Sequence, residues 1–159
     1  MRKEMVWVVV VAHCHLAAEM ICAAQLVVGE ELKQFQSVSI DPKEGSEEIR
    51  EKIIAAIRKV EGGQGVLILT DMYGGTPSNI SLSFLEEKKI EVITGVNLPM
   101  LLKLATYQND MDLESLAVFI TDASWTLLWR VCSGQAFTQP HRLHAYQRLS
   151  RHWSSHFKV

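Results

Sequence analysis

An unbroken apolar run near the start of the chain, Val6-Trp7-Val8-Val9-Val10-Val11, is the strongest indication of the fold. Every residue of this run except Trp7 is β-branched, which is typical of a strand that is buried on both faces of a sheet. Such strands belong mainly to parallel sheets that are covered by helices on each side. The run therefore predicts the first, fully buried strand of an α/β domain.

Segments of alternating type follow this strand. Leu16, Met20, Ala23 or Ala24, and Val27 recur at helical spacing, which predicts a helix with these residues on its apolar face that ends at Gly29. Together, the segments predict a doubly wound α/β fold, with a mainly parallel four-stranded sheet and helices on both faces. The other predicted strands are 37–40, 66–69 and 90–93, and the other predicted helices begin near Glu47, Thr76, Asn97 and Leu113.

The distribution of charge divides the chain. Residues 1–122 hold all 18 Asp and Glu and 11 of the 16 Lys and Arg, whereas 123–159 hold five basic residues and no acidic one. We therefore predict a folded domain at 1–122 and an atypical basic, aromatic C-terminal extension at 123–159. The extension could contact nucleic acid or a partner protein, or it could come from an altered reading frame or an unrelated C-terminus. Nucleic acid is not among the partners that we predict for the domain.

The first strand and the cysteines indicate the compartment. The apolar run is too short to cross a bilayer, which needs roughly 20 apolar residues. Arg2 and Lys3 precede it as in a signal peptide, but no cleavage site follows, and a buried strand is the better interpretation. Cys14, Cys22 and Cys132 are an odd number without a framework spacing, which fits a reducing cytoplasm. We predict a cytoplasmic protein without membrane insertion.

Polar residues follow directly after the predicted strands. Ligands of open α/β sheets bind beyond the carboxyl ends of the strands, at the point where the strand order reverses. If the first and third strands are neighbours, His13 and Asp71 emerge side by side at that edge. One nitrogen of a neutral imidazole can attack phosphorus while a carboxylate accepts the proton on the other nitrogen. The pair is therefore our candidate catalytic site.

A glycine turn complements this pair. In Gly74-Gly75-Thr76-Pro77, the glycines let the backbone approach a ligand, and the following helix start presents N–H groups to an anion. Thr76 is predicted to be the N-cap of that helix, with proline in the first helical position, and to offer a hydroxyl donor. Asn97 is either the N-cap of the next helix or a site-facing amide, and both roles can hold together.

Three segments together carry a family resemblance. They are His13-Cys14-His15-Leu16-Ala17, the stretch 69–77 that ends in Gly-Gly-Thr-Pro, and Gly95-Val96-Asn97-Leu98-Pro99-Met100-Leu101. In this order, each after a predicted strand, they resemble the motifs of the mannose/fructose-family IIA component of the bacterial phosphoenolpyruvate-dependent sugar phosphotransferase system. The resemblance covers roughly residues 5–122, which we interpret as a IIA-like phosphoryl-carrier domain.

The resemblance implies a phosphotransferase component that works through a phosphohistidine. His13 would accept phosphate from the phosphocarrier protein HPr and pass it to a IIB component during sugar uptake, while Asp71 orients the ring. Gly74, Gly75 and Thr76 would bind the phosphate, and no cofactor is implied. The family is commonly dimeric, so a homodimer is expected. The sequence does not identify the sugar.

Two other functions remain open from the residues alone. The protein could be a regulatory phosphoacceptor without a transport role, or a non-enzymatic metal-binding module that uses His13, Cys14 and His15. We predict no metal, because adjacent residues in a turn point in different directions and no second ligand pair accompanies them. Cys14 stands where the family usually has glycine, and it is a candidate site-lining residue. Met20 replaces the arginine of a phosphatase Cys-x5-Arg loop, and no nucleotide-binding glycine loop is present.

Overall fold

The valine-rich run forms β1, Trp7–His13, in the computed structural model of the chain. The structure describes residues 5–60, 63–86, 89–107 and 111–121, so the predicted extension at 123–159 lies outside the described residues. The other strands are β2, Phe35–Ile40, β3, Val66–Thr70, and β4, Ile90–Thr94. The helices are α1, Leu16–Val28, α2, Ser46–Lys59, α3, Thr76–Leu82, and α4, Leu98–Tyr107, and residues 113–121 are also helical. No helix in these ranges is both long enough and apolar enough to span a membrane.

The four strands form one parallel sheet in the order β2-β1-β3-β4. Val11 lies opposite Val38 of β2 on one side and opposite Thr70 of β3 on the other. The chain leaves β1 for β2 and then returns to the opposite side of β1 with β3, so the order reverses between β1 and β3. The doubly wound α/β fold with helices on both faces is confirmed, and its switch point is the carboxyl edge of these two strands.

The sheet has a hydrophobic core on each face. Val8 and Val10 face the core shared with α1, α4 and the helical residues 113–121, while Val9 and Val11 face the core shared with α2. All four side chains are fully buried. Burying one such side chain contributes roughly 1.5–3 kcal/mol, so the valines hold β1 firmly at the centre of the sheet. The end of β1, where His13 lies, is therefore a rigid support.

The buried face of α1 differs from the predicted one. Of the residues expected on the buried face, Ala24 is buried and Met20 is half-buried, but Leu16 and Val27 are 45% and 62% exposed. The residues that α1 buries are Ala17, Ile21 and Ala24. The helix is apolar on several sides, so periodicity alone did not select a face, and the small alanines let its backbone lie close to the sheet. Its predicted end is confirmed, because Gly29 forms the left-handed C-cap, with φ +83°.

Candidate functional site

His13 and Asp71 meet at the switch point of the sheet. His13 is the last residue of β1 and Asp71 follows β3 directly, so the parallel pairing of the two strands brings both to one edge. The ring Nδ1 of His13 lies 2.7 Å from Oδ2 of Asp71. The two residues are 58 positions apart in sequence. Their contact is thus a product of the strand order.

Backbone groups hold the Asp71 carboxylate in place. The N–H of His13 donates to Oδ2 at 3.0 Å, and the N–H of Met72 donates to Oδ1 at 2.8 Å. The side chain of Asp71 is only 11% exposed. Since both oxygens are engaged, the carboxylate cannot rotate without losing a hydrogen bond. It therefore fixes the orientation of the His13 ring.

The contact with Asp71 also selects the ring tautomer. A carboxylate only accepts hydrogen bonds, so the nitrogen that faces it, Nδ1, carries the proton. The lone pair of the neutral ring then lies on Nε2. The His13 side chain is 39% exposed, which leaves the ring within reach of another molecule. The arrangement can present Nε2 as a nucleophile or as a proton acceptor.

The backbone of Gly75 lies close to this ring and leaves little room for a side chain. A Cβ atom built on Gly75 would lie 3.3 Å from Cε1 of His13 and 3.4 Å from Cγ of Met72. The first distance is slightly tighter than an ordinary contact, so a side chain at this position would press on the ring. Glycine lets the turn lie directly beside Cε1, the ring carbon that joins the two nitrogens.

The start of α3 differs by one residue from the prediction. Thr76 was expected to be the N-cap and Pro77 the first helical residue. Instead, Gly75 is the N-cap, with extended backbone angles of φ −82° and ψ 167°, and Thr76 is the first helical residue. A proline fits either of these early positions, because neither N–H is needed within the helix. Thr76 is exposed at the N-terminal end of α3, next to Gly75.

Ser78 of α3 is bonded to the glycine turn, a contact that the sequence did not predict. Its side chain is fully buried, and its Oγ accepts the N–H of Gly74 at 3.0 Å and donates to the carbonyl of Gly75 at 3.3 Å. The position of this serine, four residues after Gly74, could have indicated the contact, because short hydroxyl side chains often bond to nearby backbone groups. The N–H of Gly74 is therefore engaged within the turn. The N–H of Thr76 belongs to the first helical turn and has no acceptor within α3.

Cys14 adopts a backbone conformation that favours glycine. Its φ is +52°, in the left-handed region, and its N–H donates to the carbonyl of Ile40 at 2.8 Å. The thiol is free and the residue is exposed. His15 follows as the exposed N-cap of α1, without a capping hydrogen bond from its side chain. Within the described parts of the chain, no group of three or more His, Cys, Asp or Glu residues is placed to hold a metal ion.

Asn97 caps α4. Its Oδ1 accepts the N–H of Met100 at 3.1 Å, as expected for an N-cap residue. Before it, the N–H groups of Gly95 and Val96 both donate to the carbonyl of Thr70, at 2.8 and 3.0 Å. The turn after β4 is thus fastened to the residue that precedes Asp71. A site-facing role of the Asn97 amide remains a prediction.

Comparisons with known proteins find relatives of this chain. The family model for the PTS system fructose IIA component matches residues 7–121. The chain is similar to the sorbose-specific EIIA component of Lacticaseibacillus casei, with 34% identity over 69% of this chain and 78% of that protein. It is also similar to the mannose-specific EIIAB component of Escherichia coli K12, with 32% identity over 65% of this chain, but this match covers only 32% of the longer protein.

A solved structure shows the same fold. The mannose/sorbose-specific IIA subunit of the phosphotransferase system from Enterococcus faecalis superposes with a TM-score of 0.70 over 86% of this chain and 97% of that one. The two sequences are 22% identical, so this likeness concerns the fold.

Proposed function

The chain belongs to the mannose/fructose family of IIA components of the phosphotransferase system, and on this premise we propose that it carries a phosphoryl group on Nε2 of His13. The donor is phosphorylated HPr and the recipient is a IIB component, so the protein acts as a phosphotransferase during sugar uptake. The observation that carries this proposal is the 2.7 Å contact between Nδ1 of His13 and the anchored Oδ2 of Asp71.

The transfer step follows from the geometry of the pair. Nε2 attacks the phosphorus of phospho-HPr, the new N–P bond forms, and the bond between phosphorus and HPr breaks with its electron pair returning to HPr. The His13 ring gains positive charge as this happens. Asp71 stabilises that charge through the proton on Nδ1, which stays on the ring. Transfer to IIB runs the same step in reverse, with a IIB side chain as the nucleophile.

The glycine turn supplies the phosphate-binding groups in this proposal. Gly75 lies beside the ring carbon next to Nε2, and Thr76 follows it as the first residue of α3. In the proposal, the N–H of Gly75 and the N–H and hydroxyl of Thr76 bind a phosphoryl group on that nitrogen. Phosphoryl transfer depends mainly on positioning and charge stabilisation. Gly74 contributes through the shape of the turn, since its own N–H is bonded to Ser78. No cofactor takes part.

The proposal also covers the compartment, the oligomeric state and the domain boundaries of the protein. We propose a cytoplasmic homodimer, with residues 1–122 as the phosphoryl-carrier domain and 123–159 as a separate C-terminal extension. The described part of the chain has the free thiols Cys14 and Cys22, which suits a reducing compartment. Gel filtration with light scattering tests the dimer, and deletion of residues 123–159 tests whether the domain needs the extension.

The experiment that tests the function is incubation with radiolabelled phospho-HPr, followed by mapping of the label. We expect one acid-labile phosphate on His13 of the wild-type protein and none on His13→Ala. His15→Ala is the matched control, because His15 is an exposed histidine two residues away, and it should be labelled like the wild type. Absence of label from the wild type, or equal labelling of His13→Ala, would overturn the proposal.

A further inference from the structure

Helix α3 buries two serines that differ in their hydrogen bonds. Ser78 and Ser81 lie one turn apart, and both are 0% exposed. The Oγ of Ser78 accepts the Gly74 N–H and donates to the Gly75 carbonyl. The Oγ of Ser81 has no hydrogen-bond partner among the described residues. The same helix thus contains one buried hydroxyl that is tied to the glycine turn and one that is not.

The hydrogen bonds of Ser78 restrain a turn that has no side chains of its own to hold it. Gly74 has φ +83°, and nothing lies within 4 Å of the Cβ position of this residue. Glycine has more backbone freedom than any other residue, so two consecutive glycines define a conformation only weakly by themselves. Ser78 is bonded to the N–H of the first glycine and the carbonyl of the second, and therefore restrains the backbone on both sides of the peptide unit between them. Asn79 adds bonds only to the carbonyls, from its N–H to Gly75 at 3.0 Å and from its side-chain amide to Gly74 at 3.5 Å, so Ser78 is the group that holds the N–H of Gly74.

The turn that Ser78 restrains is the one that lies beside the His13 ring. A Cβ at Gly75 would lie 3.3 Å from Cε1, so even a small movement of the turn changes the space beside the ring. Cε1 is bonded to both Nδ1, which faces Asp71, and Nε2. The Asp71 carboxylate thus holds the ring at Nδ1, and the backbone of Gly75 limits the space beside Cε1.

We propose that Ser78 is a positioning residue for the phosphorylation of His13, acting through the Gly74-Gly75 turn. This inference rests on the proposed function. Ser78 does not contact the ring. It keeps Gly75 against Cε1 and keeps the N–H groups of Gly75 and Thr76 at a fixed distance from Nε2. A displacement of about 1 Å in such an arrangement can lower a rate by up to 100-fold.

The test compares three variants of the full chain: Ser78→Ala, Ser81→Ala and Ser78→Thr. Initial rates of phosphorylation are measured over a range of phospho-HPr concentrations, and the His13 Cε1–H signal is recorded by NMR after assignment against His13→Ala. We expect Ser78→Ala to lower kcat about tenfold with KM within about twofold of wild type, and to shift the His13 signal. Ser81→Ala should leave both unchanged, because the Ser81 hydroxyl bonds to none of the residues that the structure describes. Ser78→Thr restores the hydroxyl and should recover much of the rate.

The outcomes separate this inference from the proposed function. Equal rates and equal His13 signals in Ser78→Ala and Ser81→Ala would overturn the role of Ser78, as would a change in KM alone. If the wild type takes no phosphate, the proposed function fails, and the NMR comparison still decides whether Ser78 positions the ring. If Ser78→Ala does not fold, Ser78→Cys replaces it, since cysteine fills the site with a weaker donor and acceptor. The same rate and signal criteria then apply.

Discussion

The turns that follow β3 and β4 are built alike and differ in what they touch. Each contains a glycine in the left-handed region, Gly74 with φ +83° and Gly95 with φ +86°, and each leads into a helix. The turn after β3 lies against His13, whereas the turn after β4 ends in Asn97, whose described bond caps α4. The difference comes from the sheet, because β3 is the neighbour of β1 and β4 is not. Similar local turns thus gain different roles from the strand beside them.

The largest expected effect comes from removing the carboxylate beside His13. Asp71→Asn should lower the rate of His13 phosphorylation by about 10²–10⁴-fold, because an amide can hold the wrong tautomer and does not stabilise positive charge on the ring. Quench-flow with radiolabelled phospho-HPr measures this rate. Asp41→Asn is the matched control, since Asp41 also follows a parallel strand directly but bonds the N–H of Lys43. A similar loss in both variants would contradict the assignment of Asp71.

Adding a methyl group to each of the two turns distinguishes an effect on the phosphorylation rate from an effect on stability. Gly75→Ala should lower the phosphorylation rate by about tenfold, because its Cβ would press on Cε1 of the ring. Gly95→Ala should leave this rate within about twofold of wild type and instead lower the free energy of unfolding by roughly 1 kcal/mol, since alanine is strained at φ +86°. Rate assays and urea unfolding measure the two effects. The comparison breaks down if Gly95→Ala slows phosphorylation as much as Gly75→Ala.

The cap of α4 should matter for stability alone. Asn97→Ala removes the acceptor of the Met100 N–H and should lower the free energy of unfolding by about 1 kcal/mol. If capping α4 is the whole role of Asn97, the phosphorylation rate should change by less than about twofold. Asn97→Asp is the control that keeps a capping oxygen. A larger loss of rate in Asn97→Ala with full activity in Asn97→Asp would assign the side chain oxygen to the site as well.

The smallest effect is expected at Cys14. Replacing it with glycine relieves the left-handed strain at φ +52° but adds freedom to the unfolded chain, so Cys14→Gly should raise the free energy of unfolding by about 0.5 kcal/mol. Cys14→Ala is the control, because it removes the thiol and keeps the Cβ. Thermal and urea unfolding check both variants. A gain in Cys14→Ala equal to that in Cys14→Gly would attribute the effect to the thiol.

The sequence by itself determined the alternation of strands and helices and the polar residues after each strand. These features follow from local preferences: β-branched runs favour strands, glycines favour positive φ, and Asn97 can cap the helix that follows it. The end of α1 at Gly29 was predictable for the same reason. The buried face of α1 was not, because a helix that is apolar on several sides does not specify which side meets the sheet.

Two contacts are visible only in the tertiary structure. One is between His13 and Asp71, and the other is between Ser78, rather than Ser81, and the glycine turn. The first contact joins residues 58 positions apart and depends on β3 pairing with β1. The second depends on where the first turn of α3 lies over Gly74 and Gly75. Local patterns fix the conformation of a segment, but contacts between segments depend on strand order and packing. His13, Asp71 and the glycine turn were therefore visible in the sequence, whereas the contacts of Ser78 and the arrangement of all these residues came from the packing of the sheet and α3.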